Sequence, residues 1–281
     1  MTTLTLPHAA RPAMPDFLAA CYRREPLFAA TGLLMVALMF PTGLAFLVET
    51  RMLQGANLWM KPLKFQASLA VYLFTLAFFA GYLPAGTTAR RWYRAFAAIV
   101  VACILAEMVW LMGAAANGVA SHFNETNPFL AGIYFTMGAL AIVLTSATLV
   151  YGVLIARDPA STLAPPLRQS LAWGLVLTFA LTVVTAGYMA SSGGHFVGGE
   201  RSDFGSLPIL GWAREGGDLR VAHFFATHAM HFIPAVGFVL RRADPARGVM
   251  TVRIFAAGYA VFVAWCFAEA LMGRPFLPMI G

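Results

Sequence analysis

Charge is what this sequence has least of. Only 11% of its 281 residues are Asp, Glu, Lys or Arg, against about 25% in an ordinary soluble domain. With 60% apolar residues and a mean hydropathy of +0.73, that deficit excludes a free-standing soluble fold. Lysine is nearly missing: Lys61 and Lys64 stand against 17 arginines. Cysteine is scarce as well. Cys21, Cys103 and Cys266 are scattered and form no CxxC pair, which excludes a disulfide framework. Alternating segments of about ten residues, the mark of a membrane barrel, do not occur. Nor does an internal repeat, so inverted-repeat transporter architecture gains no support.

Long apolar runs are what the chain does have. About 20 consecutive apolar residues cross a hydrocarbon core of about 30 Å, and seven runs qualify: 27–48, 63–83, 94–116, 129–155, 170–190, 219–240 and 252–272. Backbone groups in lipid must bond internally, so each run is expected to be a helix. The predicted fold is an all-α bundle of seven transmembrane helices. A segment 1–26 precedes a single membrane domain, 27–281, which carries a glycine-rich loop at 191–220. Pro7, Pro12, Pro15 and Asp16 come before the first run, so no cleavable secretory signal is expected there. Residues 15–25 read as a short interfacial helix opened by Pro15 and Asp16 and closed by Arg23 and Arg24.

The net charge of +7 does not point to nucleic acid, because the basic residues are sorted by loop. With the N-terminus inside, twelve Lys and Arg fall on inner segments and seven on outer ones. The positive-inside rule then places the N-terminus in the cytoplasm and the C-terminus outside. Arginine far in excess of lysine, with abundant alanine, fits a GC-rich bacterial coding bias and hence a bacterial inner membrane.

The inner connections are basic, proline-containing punctuation. The outer ones hold nearly every unusual polar residue: 49–66, 117–128 and 191–220. The last is long enough to be a lid or binding loop, and its eight glycines would let backbone approach a ligand closely. His195, Glu200, Arg201, Asp203, Phe204 and Trp212, interspersed among them, argue for order, with Phe196, Phe204 and Trp212 covering apolar surface.

Three histidines, His223, His228 and His231, fall in the sixth run. At helical spacing His223, Thr227, His231 and Pro234 lie within roughly 80° of one another, with His228 roughly 60° beyond His231. Ionisable groups inside spans are rare and by default functional. Glu107, in the third run, falls about 14 Å below the outer rim, and His228 and His231 fall about 12 and 16 Å below it. These three are the expected catalytic or metal-binding set. Imidazoles suit haem iron, copper, iron or zinc. A haem b would sit nearer the surface, with His223 facing His122 or His195. Lys61, Lys64, Asn124, Asp218 and Arg220 are the expected substrate contacts. Four of them also have a simpler reading. Asp218 is placed to cap the sixth helix, Arg220 can snorkel to lipid phosphates, and Lys61 and Lys64 flank Pro62 beside Trp59 as an interfacial anchor.

The segments NLWMKPLKFQASLAVYLFTLAF (57–78), SHFNETNPF (121–129) and REGGDLRVAHFFATHAMHF (214–232) resemble a group of predicted bacterial multi-pass inner-membrane proteins. The resemblance implies a multi-pass membrane fold and carries no activity. Two families with seven spans do not fit. The zinc-dependent ceramidase and progestin-receptor superfamily puts H-x-x-x-H on its last helix, where this chain has no His, and microbial rhodopsins need a Lys there. The expected function is therefore a haem- or metal-binding membrane oxidoreductase. The alternatives are a transporter or channel for a small solute, lipid or proton that uses the same His and Glu residues as a relay, and an accessory subunit. The expected partners are the lipid bilayer and a small molecule or electron-transfer partner.

Overall fold

The computed structural model describes residues 14–124 and 127–277. Residues 1–13 of the N-terminal segment, Glu125 and Thr126 of the glycosylation-like NET triplet, and the tail 278–281 lie outside the described residues. Helix α1, Met14–Arg24, is the short helix expected ahead of the first apolar run. Seven helices long and apolar enough to cross a membrane follow. They are α2 Pro26–Val48, α3 Met60–Phe79 (extended by a tight turn, Ala80–Tyr82), α4 Arg91–Asn117, α5 Pro128–Arg157, α6 Pro165–Ser191, α7 Leu219–Leu240 and α8 Pro245–Leu271.

Several helices reach beyond their apolar runs because polar residues and prolines set their ends. Asn127 caps α5 by accepting from Leu130 N at 3.0 Å, with Pro128 in the first helical turn. Asp244 does the same for α8, accepting from Arg247 N. Proline inside α7 does not end it, because α6 makes room. A Cβ on Gly174 would sit 2.6 Å from Pro234 Cδ, so only glycine lets α6 approach the proline ring.

The main core runs through α1 to α7 and includes Phe28, Leu73, Ile104, Leu111, Tyr151, Leu171 and Met230. A second cluster, with Ala226, Ile233, Tyr259 and Val263, joins α7 to α8. Helix α7 packs chiefly on α6 and α8, whereas α4 packs on α5, α3 and α2. Large apolar side chains also cover the outside. Leu47, Val109, Phe135 and Val239 are each at least three-quarters exposed, a surface that suits hydrocarbon and not water.

Two short antiparallel pairs, absent from the sequence expectations, lie in the connections: β1 Met52–Leu53 with β2 Ala56–Asn57, and β3 Phe196–Val197 with β4 Gly217–Asp218. Each is two residues long, too short for periodicity to register.

Candidate functional site

The three connections α2–α3, α4–α5 and α6–α7 gather at one end of the bundle, the loop end. The 191–220 loop folds back onto it. Asp203 N donates to Gln54 O at 2.9 Å in the β1–β2 turn, and Leu219 N donates to His195 O at 2.9 Å. Trp212 is buried against Phe224, Phe225 and Phe276. Gly217 is obligatory, since a Cβ there would overlap the Ala270 carbonyl of α8. Of the three aromatic residues expected to cover apolar surface, Trp212 does so and Phe196 is half-buried beneath the Arg220 guanidinium. Phe204 differs: it is 88% exposed, because its stretch of the loop lies over the small β1–β2 turn and not over a helix.

Arg220 organises this loop. Its Nε and Nη2 make a bidentate pair with Asp218 at 2.9 and 2.7 Å, and Nη2 reaches Asp203 Oδ1 at 2.8 Å and Gly211 O at 2.5 Å. Asp218 also caps α7, accepting from Arg220 N and from Ala213 N. The helix cap expected of Asp218 is therefore present. Charge-assisted bidentate pairs are the strong ones, and both carboxylates are spent on the guanidinium.

Two more cations stand beside this web. Lys64 Nζ donates to Leu210 O at 3.3 Å. Lys61 is half-buried and lies in electrostatic range of Arg220, Asp203, His122 and His195. Among the described residues its ammonium makes no hydrogen bond or salt bridge. Among the described residues of this web, three cations thus face two carboxylates.

His122 and His195 flank the Phe123 ring at centroid distances of 6.4 and 6.2 Å. Phe65 and Tyr134 close around His122. Phe123 holds φ at 54°, a left-handed backbone that costs a non-glycine residue about 1 kcal/mol and persists only where surroundings enforce it. Burial pushes the His122 imidazole down to about 3, with Lys61 adding to the shift. Burial pushes His195 down to about 4, and Arg220 adds to that. Both are neutral at pH 7. His122 Nδ1 shares a hydrogen bond with Ser121 Oγ at 3.1 Å, while His195 Nε2 is buried without a partner among the described residues. Asn124, buried close by, donates to Ala120 O at 3.0 Å.

Deeper along α7 the histidines form a separate system. The Thr75 hydroxyl gives its one proton to Val71 O at 2.7 Å, so it accepts from His231 Nε2–H at 3.0 Å. His231 Nδ1 is then a bare acceptor, and His228 Nδ1–H donates to it at 3.1 Å. His223 is turned to α6. Thr185 donates to Leu181 O at 2.9 Å and accepts from His223 Nδ1–H at 3.3 Å. Proton counting on the two threonines therefore fixes all three tautomers.

The structure brings His228 and His231 together and does not add Glu107 to them. Among the described residues no group of three or more His, Cys, Asp or Glu side chains could hold a metal, so the set Glu107, His228 and His231 is not assembled. Glu107 is buried on α4 with Oε1 unpartnered, on a helix that packs mainly away from α7. His223 meets Thr185, and its hydrogen bond is not directed to His122 or His195. Glu269 pairs with Arg274 at 3.4 Å, and Glu49 with Arg51 at 2.7 Å. Sequence reasoning missed Asp203 as the second anchor of Arg220 and missed the buried cluster Glu25–Tyr93–Tyr151 at the opposite end of the bundle. An acid just ahead of Pro26 was the available signal for Glu25. No family model, no curated protein and no solved structure matches the chain.

Proposed function

We propose that this is a multi-pass inner-membrane protein, N-terminus cytoplasmic and C-terminus outside, whose loop end faces outward and binds a small carboxylate- or phosphate-bearing solute. It belongs with transporters and solute receptors more than with redox enzymes. The observation that carries the reading is Lys61. Among the described residues its ammonium makes no salt bridge, because Asp203 and Asp218 are both paired with Arg220. A half-buried cation without a partner is costly, and a bound anion removes that cost. His195 Nε2, also without a partner among the described residues, supplies a neutral hydrogen-bonding group beside it. The docked loop covers the site and keeps the dielectric low, which strengthens each charge contact. Lys64 and Arg220 add positive potential that draws anions to the mouth.

The experiment is a thermal-stability screen of the detergent-purified protein against acetate, succinate, inorganic phosphate and a phosphate monoester, with a reduced and oxidised visible spectrum and a metal count on the same sample. Saturable stabilisation by one of these anions is the expected result. No response to any of them, together with a Soret band or stoichiometric metal, would replace this reading with the oxidoreductase one. Sidedness has its own test: a C-terminal reporter active only outside the cytoplasm should be active, and activity of a cytoplasm-only reporter would reverse the orientation.

A further inference from the structure

At the end of the bundle opposite the loops, α1, α3 and α7 enclose a groove of about 240 Å³. Its walls are mostly aromatic, with Phe17, Phe79 and Phe238 prominent, and its polar members are Thr75 and His231. Both polar groups are occupied with each other, His231 donating to Thr75 and Thr75 to Val71 O. The groove therefore asks for an apolar occupant along its length. Ala235, on its wall, is exposed, so the groove opens on the outside of the bundle. Its volume lies below the roughly 300–1,000 Å³ of pockets for compact ligands and suits a single chain.

The rim of this groove is basic. Arg24, at the end of α1, donates from Nη1 to Phe78 O at 2.7 Å and stacks over the Phe78 ring at 4.6 Å. Arg241, at the end of α7, donates to Phe238 O. Phe78 and Phe238 both line the groove. Tyr82 joins the two: the Arg24 guanidinium stands 5.7 Å from its ring, and the ring packs edge-on at 6.1 Å against Phe238, whose carbonyl Arg241 holds. Each arginine spends one N–H on a helix-end carbonyl and keeps the others, since a guanidinium carries five donors. Among the described residues neither is in a salt bridge. The nearest acid in sequence, Glu25, is buried and accepts from the Leu27 amide.

An apolar slot that opens sideways, with two uncompensated guanidiniums and a phenol at its rim, has the chemistry of a phospholipid with an anionic head. Basic pockets between helix ends on the cytoplasmic side are where such heads bind, and guanidinium matches phosphate geometry. We infer that this groove is a specific site for an anionic glycerophospholipid. One acyl chain lies along Phe79 and Phe238 toward His231, and the phosphate sits between Arg24 and Arg241. The inference is independent of the Lys61 site at the far end of the molecule.

The test uses the full chain in a neutral detergent. Its unfolding midpoint is followed as phosphatidylglycerol, phosphatidylcholine or inorganic phosphate is added. Phosphatidylglycerol should raise the midpoint saturably, while phosphatidylcholine and inorganic phosphate should not. Arg24→Gln/Arg241→Gln, which keeps a donor at each helix-end carbonyl, should lose the response. Ala235→Phe, which fills the groove and leaves both arginines in place, should lose it too and covers the case in which the double variant does not fold. Equal stabilisation by the two lipids, a matching effect of inorganic phosphate, or an unchanged response in Ala235→Phe would overturn the site.

Discussion

At the loop end, one guanidinium, two carboxylates and two ammonium groups are gathered by chain that has no repeating pattern. At the opposite end, the Glu25 carboxyl and the Tyr93 and Tyr151 phenols are gathered by the ends of α2, α4 and α5, with the two hydroxyls 2.5 Å apart. The loop end spends both carboxylates on Arg220 and, among the described residues, leaves Lys61 and Lys64 without a carboxylate, Lys64 holding the Leu210 carbonyl and Lys61 no hydrogen-bond partner. The opposite end leaves no charge over inside the bundle and turns Arg24 and Arg241 outward. A ligand-binding role is argued at the first because its charges do not cancel. A structural role fits the Glu25–Tyr93–Tyr151 chain, because its groups satisfy one another.

Substitutions at the two ends should separate these roles. Arg220→Met has the largest expected effect. It leaves Asp218, whose side chain is 0% exposed, as a buried unpaired carboxylate, and breaking such a pair costs roughly 3 kcal/mol. Chemical unfolding should show that loss, and limited proteolysis should cut within 191–220. A variant as stable and as resistant as the native chain would mean that the web does not hold the loop. Tyr93→Phe and Tyr151→Phe should each cost about 1 kcal/mol, because each leaves the other buried phenol without its partner. No loss in either variant would break the picture of the two phenols as a link between α4 and α5.

Opposite pH responses sharpen the contrast. His122 and His195 are held near 3 and 4, below their ordinary 6.5. The unfolded chain therefore binds more protons below 6.5, and their contribution to stability is lost as pH falls from 6.5 toward 4. Burial raises the Glu25 carboxyl above its ordinary 4.5, so the folded chain binds more protons there, and that contribution is lost as pH rises through the raised value. His195→Gln should flatten the acid side of a stability profile and Glu25→Gln the alkaline side. Either substitution acting on the wrong side would contradict the assignment. The smallest effect belongs to Thr75→Val, which removes one interhelical bond to His231 worth about 0.6 kcal/mol. A loss of several kcal/mol would show that the α7 histidine chain bears more of the fold than its geometry indicates.

The helices were legible because burying backbone in an apolar medium demands long runs, and all seven runs correspond to helices. Local chemistry was legible where it acts within a few residues, as at Asp218 before α7 and at Arg23 and Arg24 closing α1. The pairing of Glu107 with the α7 histidines was argued from depth alone. Depth along a helix says nothing about which neighbour the helix faces, and α7 faces α6 and α8. Arg220 could not be matched to Asp203 from sequence, because 17 residues of glycine-rich loop separate them. Tyr93 and Tyr151 lay hidden as ordinary members of apolar runs. Their bond depends on α4 and α5 meeting at one end, which periodicity does not encode.

Lys61, without a salt bridge among the described residues, stands as the cation of the proposed anion site. The most direct measurement is calorimetric titration of the native chain and of Lys61→Met at pH 7, with whichever of the screened anions stabilises the protein most. Methionine keeps the length of the apolar stem and removes the charge. Binding should weaken about tenfold or more in Lys61→Met, a loss of about 1.4 kcal/mol, with the unfolding midpoint of the empty protein unchanged or higher, because a desolvated charge has been removed. Equal affinity in the two proteins would contradict a role for Lys61 in holding the anion.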